Sequence, residues 1–243
     1  MINTLQEAWR TAVPDRDDRH GPLQPLMLVL TVVTGLVDAF SYLSLGHVFV
    51  ANMTGNVVFG GFAIAGVSGF SLAATVVAIA AFAGGALLGG RIIHGRSHRA
   101  DLLYRALVLE VLLIGVAFVV AELSGPPGAA RIRYPLLILL GLGMGVQNAA
   151  ARALAVPDLT TTVLTLTITG TAADSRLAGG PGSRSGRRLL SAAAMFLGGL
   201  IGALMLRGGW HAIPLLVATV LLVVACLSAR RLTRSRGPWT QAR

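Results

Sequence analysis

Asp38 and the run Asn52-Met53-Thr54-Gly55-Asn56 stand in stretches that are otherwise apolar. A carboxylate at that address can bind a cation, take a proton or meet a cationic group. It costs at least about 2.5 kcal/mol to bury in a bilayer, which makes it a candidate site by default. A structural reading stays open beside it, in which Asp38 pairs with Arg152 or with amide donors. The amides of Asn52 and Asn56 and the hydroxyl of Thr54 donate and accept hydrogen bonds without carrying charge. A helix broken at Gly55 would expose an N-terminus that attracts anions and carbonyls that attract cations. Alternatively, the asparagines only cap loose backbone.

A second polar group follows about 110 residues later, with Gln147 and Asn148 late in an apolar run. These amides either line the same cavity as Asp38 or join helices at about 0.6 kcal/mol each. Beyond them comes "LTTTVLTLTITGT", with Thr160, Thr161, Thr162, Thr165 and Thr167. Threonine hydroxyls also bond back to their own helix, so only part of this set can be site residues; Thr161 and Thr165 are the candidates. Arg152 lies one turn past Asn148 and serves as an interfacial anchor or as a partner for Asp38 or Asp158. Glu110 is the other acid inside an apolar run, with a proton relay or a pairing with a neighbouring helix as its two readings. At the membrane edge, His47 reads as interfacial.

The elements that hold these residues follow from composition. The 243 residues are 54% hydrophobic and 12% charged, and the mean hydropathy is +0.74. Soluble domains carry roughly 25% charged residues. Half that share, with apolar runs of about 20 residues, predicts an all-α polytopic membrane bundle. The runs lie at 25–46, 48–67, 71–90, 102–121, 134–156, 159–173, 189–206 and 213–229. The net charge is +10, and all 20 basic residues are arginines. They cluster in the gaps between runs, which fits the orientation signal of a membrane protein rather than nucleic-acid binding. The polar, acidic N-terminal stretch lacks the form of a signal peptide. Cys226 has neither a disulfide partner nor metal-ligand company.

Arginine placement limits the crossings. Arg91, Arg96 and Arg99 fill one gap. Arg176, Arg184, Arg187 and Arg188 fill another, and Arg230, Arg231, Arg234 and Arg236 the tail. All three belong in the cytoplasm only if runs 48–67 and 159–173 enter and leave by one face. The prediction is six full spans plus two interrupted segments, with both termini cytoplasmic. Residues 1–24 form an N-terminal tail, 25–230 the transmembrane domain and 231–243 a basic tail. Irregular backbone at membrane depth survives only against protein or water, so 52–56 should face a cavity or a neighbouring helix.

A repeat is also legible. Gly35-Leu36-Val37-Asp38-Ala39 matches Gly145-Val146-Gln147-Asn148-Ala149 at an offset of 110. Phe82-Ala83-Gly84-Gly85 matches Phe196-Leu197-Gly198-Gly199 at 114. Gly85 and Gly89, like Gly198 and Gly202, are four apart, a spacing that lets helices approach closely in lipid. Halves at about 25–121 and 134–229 with three crossings each would be inverted relative to one another, the recurring plan of secondary transporters.

The blocks "TGLVDAFSYLSLGHVFVANMTGNVVFGG" (34–61) and "GMGVQNAAARALAVPDLTTTVLTLT" (143–167) resemble the two signature blocks of the YoaK-like family of bacterial membrane proteins, a domain of unknown function (1275). The likeness covers about 25–230. In the second block the family more often reads Thr-Gly where this chain has Thr165-Leu166. The resemblance implies an integral protein of the bacterial inner membrane and carries no established substrate, activity or cofactor.

Enzyme templates fail. His-Glu-x-x-His, P-loop and paired-cysteine metal motifs are absent. Gly66-Val67-Ser68-Gly69 resembles a rhomboid serine motif, but it falls at a predicted interface without a base in reach. The expected function is therefore non-enzymatic, without a cofactor or bound metal. A permease or channel for a small solute leads, and a sensor or assembly component with a structural polar core is the alternative. The expected partners are the lipid bilayer, an unidentified small solute or ion and a second copy of the chain.

Overall fold

The computed structural model describes residues 2–14, 18–125, 130–159, 164–173, 179, 185–235, 237, 239 and 240. Among them are helices α1 (Ile2–Ala12), α2 (Leu23–Ser44), α3 (Met53–Ile64), α4 (Leu72–Ile93), α5 (Arg99–Ser124), α6 (Ala130–Leu154), α7 (Leu164–Ala173), α8 (Ser185–Arg207) and α9 (Ile213–Leu232). Six of these, α2, α4, α5, α6, α8 and α9, are long and apolar enough to cross a membrane. With its 12 residues, α3 rises only about 18 Å, and α7, with 10, about 15 Å; neither spans a hydrocarbon core of about 30 Å. The chain is an all-helical, multi-pass bundle.

Both tails and the arginine-rich turns gather at one end. Arg99 is buried there, and its side chain reaches the carbonyls of Arg19, Leu154 and Trp239. Its backbone N–H donates to the Thr240 carbonyl at 2.8 Å. Glu7 of α1 accepts from the Gly186 N–H at the start of α8 at 3.1 Å. Arg188 pairs with Asp158 at 2.9 Å. At the far end, His47 meets the Gly69 carbonyl at 3.2 Å, and the Arg133 guanidinium sits against Gly46. Six helices long enough to cross and two that are too short fit this arrangement.

The helices pack in a pattern that repeats when α2, α3, α4 and α5 are exchanged for α6, α7, α8 and α9. α2 packs on α8 as α6 packs on α4, and α2 on α9 as α6 on α5. α3 lies on α4 as α7 lies on α8, while the α5–α9 contact maps onto itself. Only α1, which packs on α8 and α2, stands outside the scheme.

Glycines make the crossings close. A methyl at Gly85 would strike the Leu142 carbonyl, and one at Gly198 the Val32 carbonyl. A methyl at Gly89 would lie 2.9 Å from Ala149 Cβ, and one at Gly202 2.9 Å from Ala39 Cβ. Leu142 and Ala149 stand 110 residues after Val32 and Ala39, while Gly198 and Gly202 stand 113 after Gly85 and Gly89. The close contacts thus pair Gly85 with Gly198 at an offset of 113, where the letter match Phe-x-Gly-Gly gives 114. On α5 and α9 the buried faces superpose at 108: Leu107, Glu110, Ile114, Ala117 and Ala121 answer to Leu215, Ala218, Leu222, Ala225 and Ala229.

Candidate functional site

α2 ends at Ser44 and the chain turns back on itself at Gly46 (φ +90°) and His47 (φ +57°). Residues 48–52 then run back alongside the last turns of α2. Asp38 fixes this fold-back: its Oδ1 accepts the N–H groups of Val50 at 3.1 Å and Ala51 at 2.9 Å. Asp38 lies six residues before Ser44, about 9 Å below that end of the helix. Asn56 locks the arm from its other side. Its Oδ1 accepts the Phe49 N–H at 2.9 Å, and its Nδ2 donates to the Phe49 carbonyl at 2.6 Å. Asn52 then caps α3 by accepting the Gly55 N–H at 3.3 Å. Extended arm and short helix thus form a re-entrant hairpin whose polar groups are largely satisfied internally, as a water-poor environment demands.

A pocket of about 1110 Å³ opens beside the tip of this hairpin. α2 contributes Gly35, Asp38 and Tyr42, the hairpin Phe49, Asn52, Met53, Thr54, Gly55 and Phe59, α4 Phe82, α7 Thr165, and α8 Met195 and Gly199. Among the described residues Asp38 is the one carboxylate on its wall, and none of them on the wall is basic. The second oxygen of Asp38 takes no hydrogen bond among the described residues. Tyr42 stacks on Phe49 with centroids 4.8 Å apart, and Phe49 on Phe59 at 5.8 Å. Sequence reasoning missed this aromatic wall. Its signal was present: with aromatics only 6% of the chain, Tyr42, Phe49, Phe59, Phe62 and Phe70 concentrate in one stretch.

The predicted site residues divide. Asp38, Asn52, Thr54 and Thr165 line the pocket. Asn56 is fully buried behind it, its amide spent on Phe49. Gln147 is buried between α6 and α2, donating to Thr34 Oγ1 at 2.7 Å, and so joins helices rather than facing the pocket. Asn148 donates to the carbonyl of Met144 on its own helix and is not on the pocket wall. Arg152 is exposed and has neither Asp38 nor Asp158 as a partner; Arg188 takes Asp158 instead. Glu110 is fully buried on α5, with neither carboxyl oxygen bonded among the described residues. Thr161, with Thr160 and Thr162, lies outside the described residues. No cluster of His, Cys, Asp and Glu suited to a metal ion occurs among the described residues.

Six apolar spans, two short helices between them and a pocket at the tip of one define a multi-pass helical membrane protein with an interrupted-helix site. Residues 26–228 match the family described as "Protein of unknown function (DUF1275)", and the chain belongs to that family. Among curated proteins it is similar to the UPF0700 transmembrane protein YoaK of Bacillus subtilis (strain 168), 59% identical over 39 residues. That match spans 16% of this chain and 17% of the relative's length. No solved structure matches the chain.

Proposed function

We propose that the chain is a permease or channel for a small solute, built from two inverted halves, with the pocket beside Asp38 as its binding site. The observation that carries this reading is who walls the pocket. Gly55 and Thr165, 110 apart, both line it, and so do Phe82 and Met195, 113 apart. Equivalent positions from both halves therefore meet across one space, where a two-fold axis in the membrane plane would pass. Three crossings per half orient the halves oppositely, and such seams between interrupted helices are where secondary transporters hold solutes. The arginine-rich end is the cytoplasmic one by the positive-inside rule, which places both termini in the cytoplasm of a bacterial inner membrane.

A second reading has its own support. Both ends of the Asn56 amide and the Nε2 of Gln147 are bonded inside the protein, as a structural polar core in a sensor or assembly component would have them. Sided labelling separates the two. In a Cys226→Ser background, single cysteines at Thr54 and Thr165 are exposed to a membrane-impermeant thiol reagent in oriented vesicles. A transport pathway is labelled from each side in turn. Labelling from one side only, under all conditions, rejects transport and leaves the structural reading.

A further inference from the structure

We infer that the pocket selects a small organic monocation with an apolar body, an amine or quaternary ammonium; this rests on the pocket being a solute site as read above. The charge on its wall decides the sign. Asp38 supplies a carboxyl group that, when ionised, carries a full negative charge; one oxygen is held by the N–H groups of Val50 and Ala51, and the other takes no hydrogen bond among the described residues. Against it stands the N-terminus of α3, which a helix dipole makes positive by about half a charge within its first turn. Asn52 already occupies one N–H of that turn. With Asp38 ionised the balance is negative, and none of the described wall residues is an arginine or histidine.

The other walls decide the size and character of the solute. At about 1110 Å³ the space far exceeds what a bare metal ion needs and lies just above the usual range of small-molecule sites, about 300–1,000 Å³. Tyr42, Phe49 and Phe59 present ring surfaces to a positive group, an attraction that grows when the cation is desolvated. Met53 and Met195 add polarizable thioethers that adapt to an apolar body. Thr54 and Thr165 supply hydroxyls too few to replace the hydration shell of an inorganic ion.

The test uses the purified full chain in detergent and four probes of similar size: benzyltrimethylammonium, phenethylamine, phenylalanine and phenylacetate. Calorimetric titration and thermal shift at neutral pH read binding. The expected result is binding of both cations in preference to the zwitterion and the anion by about 10-fold or more. Asp38→Asn keeps an oxygen that accepts the Val50 and Ala51 N–H groups while removing the charge. It should weaken cation binding at least about 10-fold with little change in melting temperature. Phe59→Leu, which leaves Asp38 untouched, should weaken it a few-fold and decides the matter if Asp38→Asn fails to fold. Preference for phenylalanine or phenylacetate, equal cation binding by both variants, or no binding of either cation at 10-fold excess over about 1 mM overturns the inference. Labelling from one side only, together with cation binding, would reject transport while leaving the cation site standing. Two-sided labelling with anion preference would do the reverse.

Discussion

Set side by side at their equivalent positions, the two halves agree where helices touch and disagree where charge appears. Gly35 and Gly145, Gly85 and Gly198, and Gly89 and Gly202 do the same work, each removing a side chain where two backbones meet. Asp38 answers to Asn148, Glu110 to Ala218, Asn56 to Leu166 and Tyr42 to Arg152. Both acids inside the spans therefore belong to the first half. The glycines at these matched positions admit a facing backbone, whereas the polar residues have no match at the same spacing.

The glycines give the largest expected effect. Gly85→Ala and Gly198→Ala each drive a methyl into a backbone carbonyl of the facing helix, and backbone cannot rotate out of the way. Each should cost about 3 kcal/mol, as overpacking of a well-packed contact does at its upper end. Gly90→Ala, next to an equally small neighbour but with nothing within 4 Å, should be neutral or stabilising by up to about 1 kcal/mol. Thermal unfolding in a single detergent compares all three. Unequal losses at Gly85 and Gly198 would break the equivalence at an offset of 113.

Asn56→Leu gives this position the residue that stands 110 later in the chain, Leu166. Both backbone groups of Phe49 lose their partner, and a buried unpaired group costs about 1–3 kcal/mol. A loss of about 2 kcal/mol is expected, with faster hydrogen exchange at the Phe49 amide and no change at α7. An Asn56→Leu protein as stable as the parent would mean that the arm is held by Asp38 alone.

Much of this was legible beforehand, and what was missed shares one cause. Arginine gaps and two weak apolar runs were enough for six spans, because charge and length act locally along the chain. The glycine spacing was visible for the same reason. The fold-back of residues 48–52 onto Asp38 was not, because its hydrogen bonds join residues 7 and 12 to 13 apart in a conformation without a sequence period. That is why Asn56 looked like a site residue and proved to be a brace. Of the two readings of Gln147, the bond to Thr34, 113 residues away on another helix, selects the joining of helices. The offsets of 114 and 113 differ because one matches letters and the other matches the glycines that meet a facing backbone.

Glu110 sharpens the comparison by a smaller amount. Its counterpart is Ala218, so the α5–α9 contact does without a carboxyl on one side already. An unbonded buried acid contributes nothing to the folded state that an apolar side chain of similar length would not. Glu110→Met should be neutral or stabilising by about 1 kcal/mol, in contrast to the cation-binding loss expected of Asp38→Asn. Destabilisation beyond about 1 kcal/mol would reveal a partner for Glu110, and unchanged stability with lost transport would make it a proton carrier.

The smallest effect belongs to the clasp at the tail end, which includes the only described helix that has no counterpart. Asp18 accepts the N–H groups of His20 at 2.7 Å and Gly21 at 3.1 Å. Gly21 packs against Trp239, and His20 faces the Arg99 guanidinium at 3.4 Å. Partial burial pushes the His20 imidazole below its ordinary 6.5, and the positive charges of Arg99 and Arg187 push it further. For Asp18, burial raises the carboxyl, but its backbone hydrogen bonds and Arg187 outweigh that and hold it below 3.8. Both shifts act with one sign. A histidine lowered by folding binds its proton more readily when the tail is free, so docking weakens as pH falls from 6.5 toward the lowered value. An aspartate lowered by folding stabilises docking above 3.8, and that contribution disappears as pH falls through its lowered value. Acid should therefore loosen the tail in two steps while the spans stay folded. Emission from Trp239, with Trp9 and Trp210 replaced by phenylalanine, should shift to the red between pH 7.5 and 5. His20→Gln should remove the first step, and a variant that keeps it would reject His20 as its origin.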